Sequence, residues 1–290
     1  TEGGRGGKAA CLTRLKVFNS PMKSSLPMPK LHTLSPYNRR LIRSGNVVEL
    51  YEYEMPVLRG GTLSRKGRAN APFTSDETKL DNRNKTAARA RRHVRRIINA
   101  NPQLNKFLTL TYAENMTDID RARKELDNFF KRLKRQFPRF AYVCVIEFQK
   151  RGAVHFHLLC NLPFVDVKAL AEVWGHGFIK LNRIDNVDNV GAYVTKYMTK
   201  ENMDERLIGY RSYSMSRGLN QPQEVTNEEQ INEALETLAD VLRVVTSEYE
   251  SEYYGTVHYT QIICRREAPS SQEVASRSSQ GVQGRAPVIS

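Results

Sequence analysis

Two histidines and a glutamate lie within one short stretch of the chain, residues 142–160, which reads YVCVIEFQKRGAVHFHLLC. Successive side chains of a β-strand point to opposite faces, so alternate residues share a face. One alternating set is wholly apolar and is predicted to face the core: Cys144, Ile146, Phe148, Val154, Phe156, Leu158 and Cys160. The other set carries Glu147, His155 and His157, which form a candidate metal-binding cluster.

The cluster forms only if the two strands pair in one particular register. A two-residue loop would place Glu147 opposite Phe156, on the other face from the histidines. A three-residue loop at 150–152 places Glu147 opposite His155 instead. Glycine at position 152 favours the longer loop, because such turns end in a left-handed residue. We therefore predict the three-residue turn.

The identity of the metal is left open by the sequence. Two imidazoles and one carboxylate leave coordination positions free for phosphate oxygens. These mixed donors suit Mn²⁺ or Zn²⁺, and they suit Mg²⁺ less well. The remaining histidines stand apart from one another and are interpreted as ordinary packed or surface residues: His32, His93, His176 and His258.

Residues 188–200 are predicted to form a helix, and its end reads VGAYVTKYMTK. Tyr193, Lys196, Tyr197 and Lys200 share one helical face, and an adjacent apolar stripe would dock the helix. A phenol, with an ordinary pKa near 10, attacks phosphate poorly unless a cation stabilises its anion; the lysines would supply part of that charge. In the alternative interpretation, the tyrosines flank the core and the lysines are solvated.

The rest of the chain mixes strand-like and helix-like patterns. Strands are predicted at 47–57, 107–112, 142–148, 153–160, 178–184 and 253–263. Helices are predicted at 81–99, 119–137, 166–174, 188–200 and 226–245. This mixture predicts an α+β fold in which helices flank a central antiparallel sheet.

A formal net charge of +14 favours a polyanionic partner. The predicted helix at 81–99 has no acid after Asp81, and its second half is rich in arginine: Arg89, Arg91, Arg92, Arg95 and Arg96. It is interpreted either as a phosphate-contacting helix or as a solvated basic face. In the segment 210–222, Arg211 and Arg217 alternate with aromatic residues, a pattern that suits single-stranded DNA as well as an ordinary polar loop.

The domain organisation follows composition. We predict a loose basic arm at 1–45, an extension with the basic helix at 46–106, a core at 107–222 that contains the candidate ligands and tyrosines, an acidic helix and strand at 223–264, and a disordered tail at 265–290. Four scattered cysteines favour a reducing cytoplasm. Neither a membrane-spanning run nor a secretory signal is recognised.

Three motifs carry a resemblance to a known family. His155-Phe156-His157 is a histidine, hydrophobic, histidine motif, and Tyr193 and Tyr197 each precede a lysine by three residues. With FLTLTY at 107–112, they resemble the HUH endonuclease superfamily, and within it the rolling-circle replication initiators of bacterial plasmids and single-stranded DNA phages. The resemblance covers roughly residues 107–200.

This resemblance implies a ferredoxin/RRM-like sheet and Mg²⁺ or Mn²⁺ held by His155 and His157, with Glu147 as third ligand. It also implies nicking of single-stranded or hairpin origin DNA in a bacterial cytoplasm through a covalent 5′-phosphotyrosine, with one of the two tyrosines cutting first. Since no Walker motif is present, a host helicase or polymerase is an expected partner. A non-catalytic DNA-binding regulator and a water-using metal phosphodiesterase remain as alternatives.

Overall fold

The computed structural model describes residues 35–59, 76–149, 151–184, 187–198 and 211–266. Ten strands lie in this part of the chain: β1 (Ser35–Ser44), β2 (Val47–Arg59), β3 (Lys106–Leu110), β4 (Tyr142–Phe148), β5 (Val154–Cys160), β6 (Ile179–Arg183), β7 (Tyr213–Met215), β8 (Gln223–Val225), β9 (Val241–Ser251) and β10 (Gly255–Cys264). Five α-helices accompany them: α1 (Asp76–Asn99), α2 (Ile119–Gln136), α3 (Val167–Trp174), α4 (Val190–Thr195) and α5 (Glu228–Glu236).

The strands form two antiparallel sheets. The central sheet has the order β6-β3-β5-β4-β7, and the terminal sheet has the order β8-β1-β2-β10-β9. The α+β fold with an antiparallel sheet and flanking helices is therefore confirmed. The segments before and after the predicted core join in the second sheet, because β10 pairs along β2.

Both faces of the central sheet are buried. On one face, the apolar side of α2 packs with α3 over the alternating set that contains Cys144 and Phe156. The amphipathic spacing of α2 explains this packing, since its buried residues recur at three- and four-residue steps. On the other face, α1 and α4 cover Val143, Val145 and Leu159. The face that carries the histidines thus belongs to a second core, which period-two patterning alone did not indicate.

Two predicted segments are wrong at their ends. Ten residues near the end of the predicted loose arm, Ser35–Ser44, form β1, which pairs with β2 across the turn at Gly45. The predicted acidic helix ends at Glu236, and Val241 to Ser251 form β9. Spacing at Leu242 and Val245 fits a helix, but α5 has ended before them, and Asp240 adopts a positive φ of 50° between the two elements. Val245 then pairs with Gln261 of β10, and Leu242 lies at an irregularity of the same pairing. The tail at 267–290 and the arm at 1–34 lie outside the described residues.

α1 lies between the two sheets and contacts both. Its residues Val94, Ile97 and Ile98 enter the core on the histidine face of the central sheet. On its other side, Arg95 and Arg96 form ion pairs with Glu49 of β2 at 2.7 and 2.6 Å. In the described ranges, no helix is long and apolar enough to cross a membrane.

Candidate metal centre and tyrosine pair

The hairpin of β4 and β5 has the predicted register. Glu147 pairs with His155, and the Gln149 amide donates to the carbonyl of Ala153 at 2.9 Å. Gly152 closes the turn with a φ of 91°, in the region that favours glycine. Lys150 itself lies outside the described residues. The register places the three predicted ligands on one face, as the odd-length turn requires.

The three side chains converge. Each of the three residues Glu147, His155 and His157 offers one ligand atom, and these three atoms all lie within 4.8 Å of one another. His157 is nearly buried, and its Nε2 is hydrogen bonded to a carboxylate oxygen of Glu147. Its Nδ1 lies 3.2 Å from Oγ1 of Thr109 on the neighbouring β3. The contact with Thr109 holds Nδ1, so Nε2 is the ring nitrogen that a metal would bind, in place of its hydrogen bond with Glu147.

His155 provides the observation that tests whether a metal fits. Its Nε2 is buried, and no hydrogen-bond partner for it is found among the described residues. Burial lowers the pKa of His155, and the charge of His157 lowers it further. An imidazole that stays neutral while its nitrogen lacks a partner is in the form that binds a metal. A divalent cation therefore fits this donor set, although the set does not identify the metal.

The two tyrosines lie beside this cluster. The ring of Tyr197 stacks on His157, with 4.1 Å between centroids and 22° between planes. Phe107 of β3 stacks on Tyr197 at 5.5 Å and contacts the edge of Tyr193 at 5.7 Å. The centroids of Tyr193 and Tyr197 are 6.4 Å apart. The structure thus brings both predicted nucleophiles to the predicted ligands.

The phenol of Tyr197 is not activated by the protein alone. Burial raises its pKa to about 12, and the hydrogen bond with Tyr193 and the charges of Tyr193 and Glu147 act in the same direction. Tyr197 is therefore protonated at neutral pH. Attack by its oxygen requires nearby positive charge to offset Glu147.

Lys196 is close to both rings but contacts their faces. Its Nζ lies 3.9 Å from the ring centroid of Tyr193 and 5.1 Å from that of Tyr197. These are cation–π contacts, which place positive charge near the phenols without a bond to their oxygens. The predicted long helix is shorter than expected, because α4 ends at Thr195 and a 3₁₀ turn covers Lys196–Met198. Lys200 lies outside the described residues.

The position of α4 depends on residues that sequence reasoning missed. A side chain at Gly191 would place its Cβ 2.3 Å from the carbonyl oxygen of Arg95, so only glycine allows this close approach to α1. The amide of Gly191 donates to Oδ1 of Asn99, whose Nδ2 donates to Asn189. A glycine inside an otherwise helical pattern was the available signal. Nothing local in the sequence marked Asn99, and Phe107 was noted only as the first residue of the FLTLTY motif.

The predicted DNA-binding arginines differ in their surroundings. Arg95 and Arg96 are committed to Glu49, so they connect α1 to the terminal sheet. On the same helix, Arg89 and Arg92 are exposed and Arg91 is half-buried. Two more arginines, Arg211 and Arg217, are exposed at either end of β7, which pairs with β4. Phosphate contact by these last five residues stays a prediction.

Comparison with known proteins agrees with this geometry. Residues 105–202 match the model of a family of replication-associated proteins, the ORF2 family. The match includes all three ligands and both tyrosines. A protein of Escherichia coli named Phasyl DNA replicon protein arp is 29% identical over 141 residues, which cover 38% of this chain and 49% of the relative. These similarities support a replication initiator family.

The chain spans about half the length of this curated relative. No solved structure matches the chain. The family match at residues 105–202 covers β3 to β6 of the central sheet and the site described above.

Proposed function

We propose that the chain is a rolling-circle replication initiator of the HUH type, which nicks one DNA strand at an origin and rejoins it. The observation that carries this proposal is the stacking of Tyr197 on His157. It sets a nucleophile type that forms covalent DNA adducts directly beside a metal-binding cluster. A purely structural metal site does not require a tyrosine pair beside it.

In the proposed reaction, the oxygen of one tyrosine attacks the scissile phosphorus. The bond from phosphorus to the 3′ oxygen breaks, the 3′ oxygen takes up a proton, and the 5′ phosphate remains on the tyrosine. When bound by Glu147, His155 and His157, a Mg²⁺ or Mn²⁺ ion supplies Lewis acidity toward a phosphate oxygen. Lys196 adds positive charge at the two rings.

We assign the first cut to Tyr197 and strand transfer at termination to Tyr193. Tyr197 contacts His157, whereas Tyr193 reaches the cluster only across Phe107 and Tyr197. The freed 3′-hydroxyl can attack the phosphotyrosine in the reverse reaction, so the nick can be resealed. A host polymerase would extend from that hydroxyl. A host helicase would unwind the duplex, since the sequence carries no Walker motif for ATP-driven unwinding.

The test is a covalent capture experiment. Purified protein is incubated with Mn²⁺ and labelled single-stranded oligonucleotides tiled across the replicon that encodes it, and denaturing gels are searched for a protein–DNA adduct. We expect an adduct from the wild-type chain, a strong loss in Tyr197→Phe, a weaker loss in Tyr193→Phe, and none in the double variant.

The controls separate the alternatives. Cleavage that continues without an adduct in the double variant would support a water-using phosphodiesterase. Binding without any cleavage by the wild-type protein would support a non-catalytic regulator. His157→Ala should abolish the adduct while salt-sensitive DNA binding persists, and parallel loss of both would contradict separate catalytic and binding roles.

A further inference from the structure

The two faces of the terminal sheet differ in chemistry. Strand register places Tyr53, Val257 and Tyr249 in one row on the face toward α1. Aromatic rings extend from this row. We call this surface the tyrosine face, and its ring contacts link six of the thirteen tyrosines in the chain: Tyr37, Tyr51, Tyr53, Tyr253, Tyr254 and Tyr259.

Part of this cluster is accessible. Tyr51 is buried, but Tyr37, Tyr53, Tyr254 and Tyr259 are each half-buried. Tyr253, in the turn between β9 and β10, is 77% exposed, and Tyr249 is 46% exposed. Tyrosine is enriched at binding interfaces because its ring is apolar and its hydroxyl is polar, and contiguous exposed apolar patches often mark interaction sites.

The opposite face carries four of the five glutamates of β2 and β9, and the fifth, Glu49, is buried on the tyrosine face against Arg95 and Arg96. Glu52, Glu54, Glu248 and Glu250 alternate with the tyrosine-face residues along β2 and β9. Arg39 and His258 pair with two of these carboxylates. The acidic segment that sequence analysis noted near the C-terminus thus turns several of its charges away from the tyrosine face.

Positive charge lies on or beside the tyrosine face. The guanidinium carbon of Arg40 is 5.5 Å from the ring centroid of Tyr51, while its Nε is 3.9 Å from Glu224. From α1, the charge of Arg92 acts on Tyr51. Lys85 forms an ion pair with Asp81 at 2.7 Å, and its charge also acts on Glu252 and Tyr253. An anion would meet aromatic rings and cations together here.

We propose that the tyrosine face is a second DNA-binding surface, which holds single-stranded DNA by stacking bases on its exposed rings. Interleaved aromatic rings and cations suit a single strand, because duplex bases are already stacked and offer no free faces. The charge separation between the two faces favours a polyanion over an acidic protein partner. As an accessory to nicking, this role rests on the proposed function.

α1 connects this surface to the candidate catalytic site. It contacts α4 at Arg95 and Asn99, and its Lys85 lies near Tyr253. Ten residues of helix span about 15 Å, a distance that a few nucleotides cover. A strand freed by the nick could therefore reach the tyrosine face on the same molecule.

The test measures DNA affinity by fluorescence anisotropy with the full chain in EDTA, so that no nicking is needed. The probes are an oligothymidylate of about 20 nucleotides and a duplex of equal length. Tyr253→Ser removes an exposed ring, and the double variant Tyr53→Leu, Tyr254→Leu keeps apolar bulk but removes aromatic faces. We expect each to weaken oligothymidylate binding, by about tenfold for the double variant, and to spare duplex binding.

Val244→Ser is the matched control, because Val244 is exposed on the opposite face of β9. Unchanged oligothymidylate affinity in variants that keep the wild-type melting temperature would overturn the proposal, as would equal loss on both probes. The two proposals can fail separately. If no covalent adduct forms but the tyrosine-face variants lose single-strand binding, the nicking proposal is wrong and the DNA-binding role of the tyrosine face is supported.

Discussion

His157 is held on three sides. Glu147 bonds its Nε2, Thr109 lies at its Nδ1, and Tyr197 covers its ring. A buried imidazole with so many contacts has one orientation, which is what a ligand that must meet both metal and substrate requires. Thr109 acts on the metal only through His157, so it is a positioning residue.

At the residue scale, Thr109→Val should weaken Mn²⁺ binding by about tenfold, because the isosteric change removes the hydrogen bond that orients His157. Isothermal titration calorimetry measures the affinity. Thr111→Val is the control, since the Thr111 hydroxyl bonds the carbonyl of Phe178 instead. Equal affinities of the two variants would mean that Thr109 does not position the ligand.

At the scale of elements, the placement of the two tyrosines depends on α4 and on the 3₁₀ turn that follows it. α4 has only six residues and would not be stable alone. It is held by tertiary contacts, in which Gly191 packs against the backbone of α1 and Val194 enters the core. The positions of the two tyrosines therefore depend on the packing of α4 against α1.

Gly191→Ala should displace α4, because the added Cβ would lie 2.3 Å from the carbonyl oxygen of Arg95. We expect a loss of about 1 to 3 kcal/mol in the free energy of unfolding and a reduced yield of covalent adduct. Mn²⁺ affinity should change little, since the ligands lie on β4 and β5. Ala192→Ser, at the exposed neighbouring position, should behave as wild type in urea denaturation and adduct assays. A normal adduct yield in Gly191→Ala would refute this account.

At the scale of the whole molecule, one buried carboxylate connects the two sheets. Glu49 of β2 is 1% exposed and accepts hydrogen bonds from Arg95, Arg96 and Tyr259. Burial alone would raise its pKa, but the hydrogen bond and charge of Arg96 and the charge of Arg95 outweigh burial, so the pKa is lowered. Glu49 thus contributes stability only while it is ionised.

The sign of the pH effect follows. A lowered pKa in the folded state gives stability that is fully present above the ordinary value of 4.5 and is lost as pH falls through the folded value. Glu49→Gln should therefore cost about 3 kcal/mol at neutral pH, and the difference from wild type should shrink below pH 4.5. Thermal denaturation of both proteins at a series of pH values measures this difference in stability. The exposed Glu229→Gln should show no such convergence.

DNA binding by the whole molecule should depend on which side of the central sheet carries the charge. Arg89 is exposed on α1, which covers the ligand face, whereas Arg135 is exposed on α2, which covers the other face. Arg89→Gln should lower the slope of log affinity against log salt by nearly 1, and Arg135→Gln should not. Equal slopes for the two variants would argue against a phosphate contact at Arg89.

Much of the site was predictable because its determinants are local. The alternation of side chains along β4 and β5, with glycine at position 152, is sufficient to bring Glu147, His155 and His157 together. Hairpin register depends on the turn and on the two strands beside it, all within nineteen residues. The helical spacing of Tyr193 and Tyr197 is equally local.

Only the tertiary structure decided what these local units touch. Tyr197 reaches His157 because α4 packs on α1, and Arg95 meets Glu49 across 46 residues of chain. The residues near Val241 fit a helix or a strand, and pairing with β10 selected the strand. Such choices depend on the free energy of contacts between distant segments, which no local pattern encodes. The sequence by itself therefore determined the chemistry of the predicted ligands and of the tyrosines. Long-range packing determined that the tyrosines lie beside those ligands.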